Sequence, residues 1–131
     1  MASGIIKPAH DRFAFLVDEP SVAPRALQGV GITRLLLGER ALGKETLERA
    51  VKADPTLARA WNALGYAHDS EQSFSAATEA YSKALELKPD YAGAYNNRGF
   101  SLLMQQKVED AVKDLNRALA LDPKLTMARQ N

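Results

Sequence analysis

The stretch "GERALGKET", residues 38–46, places Gly38, Gly43 and Lys44 at the spacing of a phosphate-cradling loop, G-x-x-x-x-G-K. In such a loop backbone amides surround the phosphates, and a hydroxyl residue after the lysine holds Mg²⁺. Here Glu45 follows the lysine, a carboxylate that repels a triphosphate, and no strand pattern leads into the glycines. No nucleotide and no other cofactor is expected. The two histidines, His10 and His68, stand far apart without further ligands at defined spacing, so no metal site is expected. His68 and Asp69 are chain neighbours and point in different directions from a helix, which makes them a poor catalytic pair. With no Ser/His/Asp set and no activated nucleophile, the chain reads as a non-enzyme.

Composition agrees with a soluble, globular chain. Of 131 residues, 46% are hydrophobic and 25% charged, enough apolar content to build one core. Seventeen basic residues against sixteen acidic ones leave a net charge of +1, no broad field for steering nucleic acid or binding an anionic membrane. There is no cysteine, which excludes disulfides and thiolate metal sites. No run approaches the ~18 apolar residues of a membrane span, and a signal pattern is lacking at the start. A cytoplasmic location is the expectation.

The elements that position these residues repeat. Residues 58–91 align with residues 92–125 without a gap, pairing Ala60 with Ala94, Trp61 with Tyr95, Gly65 with Gly99, Ala77 with Ala111, Ala84 with Ala118, and Pro89 with Pro123. Every offset is 34 residues, and the same step back gives residues 24–57, with Gly31, Ala50 and Pro55 in register. Within each unit apolar residues recur at three and four, the helical period. Trp61, Leu64, Ala67 and His68 line one face, then Phe74, Ala77, Tyr81, Ala84 and Leu85 another. Polar "DSEQS" separates them, and "LKPD" ends the second helix before a proline. Each unit is therefore expected to be two antiparallel helices, A and B. Small residues stand where the helices come close: Gly31, Gly65 and Gly99 in A, and Gly43, Ala77 and Ala111 in B. Gly38 falls in the first A–B turn, where a left-handed backbone favours glycine. The glycines of the opening stretch thus have structural roles.

The second unit, with Trp61-x2-Leu64-Gly65-x2-His68, then Ala77-x3-Tyr81 and Pro89, resembles a tetratricopeptide repeat. His68 replaces the usual aromatic. The third unit keeps Tyr95, Gly99, Ala111, Ala118 and Pro123 but has Arg98 where leucine is usual. Arg98 is expected to snorkel or to pair with a neighbouring acid. The first unit is the most divergent, with Leu27 for the aromatic and Gly43 for alanine. The resemblance implies an all-α fold, a right-handed superhelical stack of three helix pairs over residues 24–57, 58–91 and 92–125. It is specific for fold and much less so for function, because such arrays are scaffolds.

By the same resemblance, each helix A lines a concave groove with its second, fifth, sixth, ninth, twelfth and thirteenth residues. In the first unit these include Arg25, Gln28, Gly29, Ile32, Leu35 and Leu36. In the second they include Arg59, Asn62, Ala63, Tyr66, Asp69 and Ser70, and in the third Gly93, Asn96, Asn97, Phe100, Leu103 and Met104. Asn62, Asn96 and Asn97 form a run of amides that offer donor and acceptor together, fit for a peptide backbone unless they bond to their own neighbours. Ile32, Leu35, Leu36, Tyr66, Phe100, Leu103 and Met104 make the groove apolar, as a contact surface is. The family's carboxylate clamp needs Lys at the fifth position and Asn at the ninth. This chain has Gln28 and Ile32, or Asn62 and Tyr66, so the clamp is absent and a heat-shock co-chaperone role is not expected.

Two ends lie outside the repeats. Residues 1–23 carry an apolar cluster, Phe13, Phe15, Leu16 and Val17, expected to dock as an arm on the first unit of its own chain or a neighbour's. After Pro123 a short stub, residues 126–131 with Met127, is too brief for a capping helix. Part of the last helix B, with Val112, Leu115 and Leu119, is expected to stay exposed. The resulting reading is a protein-interaction module that binds a protein or peptide segment in its groove, as adaptor or assembly subunit. A self-associating homo-oligomer, through the arm or the open end, and the targeting region of a larger enzyme are the alternatives. A nucleic-acid or membrane partner is not expected.

Overall fold

A computed structural model of the chain describes residues 22–124; His10, the apolar arm and the stub at 126–131 lie outside the described residues. Six helices follow one another: α1 (Pro24–Leu36), α2 (Arg40–Ala53), α3 (Ala58–Ser70), α4 (Phe74–Leu87), α5 (Ala92–Met104) and α6 (Val108–Leu121). No strand occurs among the described residues. Helix A begins at 24, 58 and 92, and helix B at 40, 74 and 108, so the 34-residue step in the sequence is also the step in the backbone. The chain divides into two compact units, Met1–Pro55 and Thr56–Asn131. The first holds the pair α1–α2, the second α3 to α6.

The turns explain the register. After each helix A the chain takes a left-handed residue, Gly38 (φ 84°), Gln72 (φ 61°) and Gln106 (φ 63°). This conformation brings the next amide back to the helix: Glu39 N donates to Arg34 O, Ser73 N to His68 O, and Lys107 N to Leu102 O, at 2.8, 2.9 and 2.9 Å. Three otherwise orphaned helix ends are closed in this way by backbone bonds. Glycine is strain-free here, whereas the two glutamines carry the ordinary penalty of a side chain in this region. Each helix B ends at Ala53, Leu87 or Leu121, two residues before Pro55, Pro89 or Pro123. The intervening residue turns extended, as the residue before proline must. Pro24 opens α1, where no intrahelical partner is lost.

Close approach sets the small residues. A Cβ built on Gly43 would stand 2.8 Å from Leu35 Cδ2 and 3.0 Å from Gly31 O, so α1 and α2 touch backbone to backbone there. At Gly65 an added Cβ would overlap the ring of Tyr81, which is fully buried against α3. Ala77 and Ala111 have no exposed surface at the equivalent places in α4 and α6. In the first unit the core is Leu27, Val30, Leu47, Ala50 and Val51. In the second, Ala84, Leu85 and Ala94 form a cluster on which Trp61, Tyr91 and Tyr95 pack. The nucleotide-like spacing of the first unit is thereby accounted for: Gly38 makes a turn, while Gly43 and Lys44 already lie within α2.

Candidate functional site

Helix periodicity puts Asn62 and Tyr66 one turn apart on α3, and Asn97, Phe100 and Met104 along α5. Packing of α3 beside α5 joins the two rows. Asn97 Nδ2 donates to Asn62 Oδ1 at 3.1 Å, and Asn62 Nδ2 donates to the Tyr91 hydroxyl at 3.3 Å. Of the amide pairing capacity at Asn62, one donor and one acceptor position are left for an incoming chain. Beside this bridge Tyr66 is 55% exposed and Met104 55% exposed, while Phe100 is half-buried. Arg59 lies exposed one turn before Asn62. The result in the second unit is an amide bridge with exposed Tyr66 one turn away on α3 and exposed Met104 two turns along α5.

Several expected groove residues sit elsewhere. Asn96 is only 2% exposed, and its Oδ1 has no hydrogen-bond partner; it faces the packed interior instead of the amide row. Leu35 is half-buried over Gly43 of α2, filling the space which that glycine leaves. Asp69 is engaged within the fold: its two carboxylate oxygens accept the Tyr81 and Ser101 hydroxyls, each at 2.7 Å. It therefore ties α3 to α4 and α5, and is not available to a peptide. In the first unit Gln28 and Ile32 are half-buried and Leu36 is 83% exposed. Leu103, the counterpart of Asp69 one repeat on, is partly exposed.

A second polar cluster escaped the sequence reading in detail. Arg98 occupies the leucine place and forks onto Asp114, with Nε to Oδ2 at 2.6 Å and Nη2 to Oδ1 at 2.9 Å. Its Nη1 donates to Ser82 at 3.2 Å, and Arg117 adds a 3.1 Å contact to Asp114. Hydrogen bonding to the Asp114 carboxylate raises the pKa of Arg98 above its ordinary value, with burial opposing and the Asp114 charge assisting. The pairing was legible in kind, as an arginine at a core position needs an acid. The partner sixteen residues away was not. A cleft of about 350 Å³ opens here, lined by Thr78, Arg98, Leu102, Asp110, Lys113, Asp114 and Arg117. Its three cations and two carboxylates largely cancel, and none of the expected groove residues lines it. In the first unit, Arg34 makes a related contact, Nη1 to Thr46 Oγ1 at 2.6 Å.

Among the described residues no cluster of His, Cys, Asp or Glu could hold a metal ion, and no helix is long and apolar enough to cross a membrane. Comparison with known proteins agrees with the geometry. A TPR repeat model matches residues 70–106, and a tetratricopeptide repeat model matches residues 92–125. No curated protein sequence matches the chain significantly. Among solved structures, MamA is 25% identical with a TM-score of 0.82, the alignment covering 97% of this chain and 74% of that one. The first TPR of Spaghetti (RPAP3), solved bound to the HSP90 peptide SRMEEVD, is 26% identical with a TM-score of 0.74, covering 76% and 79%. YrrB, a TPR protein with an unusual peptide-binding site, shares the fold at 21% identity and a TM-score of 0.84, covering 98% and 68%. With two tetratricopeptide-repeat models matching between residues 70 and 125, and solved TPR proteins of the same fold, this chain is recognised as a tetratricopeptide-repeat protein whose six described helices fit three tandem repeats.

Proposed function

We propose that the chain is a non-catalytic protein-interaction module that binds an extended peptide segment along the α3–α5 face of its second unit. The observation that carries this reading is the Asn62–Asn97 bridge beside exposed Tyr66 and Met104. An amide held in place by its neighbours pairs with a peptide backbone at little ordering cost, whatever the peptide's sequence. Tyr66 and Met104 supply apolar contact, methionine being suited to partners of varied shape. Peptide binding by the solved RPAP3 repeat supports the class of ligand. The charge requirement differs, however. With Gln28 and Asn62 where the clamp has lysine, an acidic carboxyl-terminal tail finds no lysine at the clamp position. The peptide SRMEEVD is expected to bind at best weakly, and segments read through backbone and apolar contacts to bind better.

Selection of peptides from a random display library on the intact protein, followed by calorimetry, tests this. Asn62→Ala and Tyr66→Ala should each weaken the selected peptide several-fold, consistent with about 0.5–1.5 kcal/mol per hydrogen bond. Helical circular dichroism should not change. Full affinity in the double variant would show that the peptide binds elsewhere.

A further inference from the structure

The last helix pair presents a face that the preceding pair buries. Tyr81 and Leu85 of α4 are fully and nearly fully covered, whereas their counterparts one repeat on, Leu115 and Leu119 of α6, are half-buried and 41% exposed. Within the second unit, the helix that packs over α3 and α4 is a helix A, α5. It brings a defined set of contacts: Gln105 Nε2 donates to Thr78 Oγ1 at 3.2 Å, and Ser101 Oγ donates to Asp69 at 2.7 Å.

The first helix A and the last helix pair differ from this set at the place of the Gln105–Thr78 contact. On the accepting side, Thr78 becomes Val112 and Asp69 becomes Leu103, each 34 residues on. On the donating side, the first helix A is followed by Leu37 where α5 is followed by Gln105, while Thr33 keeps a hydroxyl where α5 has Ser101, each 68 residues earlier. Leu37 (37%), Val112 (47%) and Leu103 (37%) are all exposed. Alongside them Gly29 replaces Asn97 and is open, with nothing within 4 Å of an added Cβ. The polar pair Gln105–Thr78 of the internal contact thus reads Leu37–Val112 at the ends, an apolar donor residue matched to an apolar acceptor residue.

We propose that a second copy of this chain occupies the open α5–α6 face, its α1 packing there as α5 packs on α3–α4, with Leu37 against Val112 and Thr33 beside Leu103. The contact is heterologous, so a dimer keeps one unpaired face of each kind and association proceeds head to tail. The proposal is independent of the peptide-binding reading, since neither Asn62 nor Tyr66 takes part.

Sedimentation velocity and light scattering on the intact protein, up to about 1 mM, decide it. The wild type should show a mass that rises continuously with concentration above that of the 14.3 kDa chain. Leu37→Asp and Val112→Asp should each remain helical, both sites being exposed, and each should lose at least tenfold in association. Mixed one to one, they should form a species of twice the chain mass and no larger, because one intact face of each kind remains. If an aspartate variant loses its helical circular dichroism, Leu37→Gln and Val112→Thr, the residues found at the internal contact, serve in the same mixing test, with the mixture associating more tightly than either alone. A wild type monomeric throughout overturns the proposal. So does a mixture that stays monomeric, and so does a Leu37→Asp chain that associates like wild type while Val112→Asp does not, the signature of two α6 faces pairing about a two-fold axis.

Discussion

At Arg98 a charged side chain stands where the repeat has leucine, and the fold accommodates it with one acid. Asp114 is nearly fully buried and takes both prongs of the guanidinium, while Arg98 is only partly exposed. Such a pair contributes little compared with a well-packed apolar pair, yet breaking it is costly because one charge stays behind without its partner. Asp114→Ala is expected to destabilise the protein by about 3 kcal/mol, measured as a shift in the denaturant midpoint at unchanged slope. Arg98→Leu, which restores the usual residue but strands Asp114, should also destabilise. The double change Arg98→Leu with Asp114→Ala should recover part of the loss, which a double-mutant cycle would reveal. Asn62 belongs to the opposite kind of residue. Its bridge to Asn97 is partly exposed, so Asn62→Ala should leave the unfolding free energy within about 0.5 kcal/mol of wild type while binding suffers.

Among elements, the turns and the close contacts carry the register. Gly38, Gln72 and Gln106 share one left-handed place, and only the first is glycine. Gly38→Ala should therefore cost about 1 kcal/mol although no atom lies within 4 Å of the new Cβ, a purely conformational effect. Gln106→Gly at the equivalent turn should be neutral or slightly stabilising. Thermal melts of the two variants side by side separate strain from packing. Ala111, fully buried where α6 crosses α5, tests packing itself. Ala111→Leu should overpack the pair at a cost of ~1–3 kcal/mol, and an unchanged melting temperature would contradict the close approach seen at Gly99, whose added Cβ would stand 2.8 Å from Leu115.

For the molecule as a whole, the two compact units predict unequal independence. Residues 56–131 contain Tyr81, Ala84, Leu85, Ala94, Leu102 and Ala111, a core shared by four helices. Expressed alone they should keep a helical spectrum and a cooperative melt. Residues 1–55 contain one described helix pair and should be largely unfolded in isolation, since short helices need a packed partner surface to persist. Circular dichroism of the two fragments checks both statements. By itself, the sequence determined three repeated helix pairs, because the 34-residue step, the helical period and the pre-proline ends are local chemistry repeated three times. Fold class followed from that repetition. What only the tertiary structure decided is the direction of individual side chains at one helical position. Asn96 and Asn97 are adjacent in sequence and chemically identical, yet one is buried and the other bridges to Asn62. Asp69 looks like a groove carboxylate until Tyr81 and Ser101, 12 and 32 residues away, are brought onto its two oxygens. A rotation of about 100° per residue separates interior from surface on a helix, and it is the packing of neighbouring helices that sets where that boundary falls.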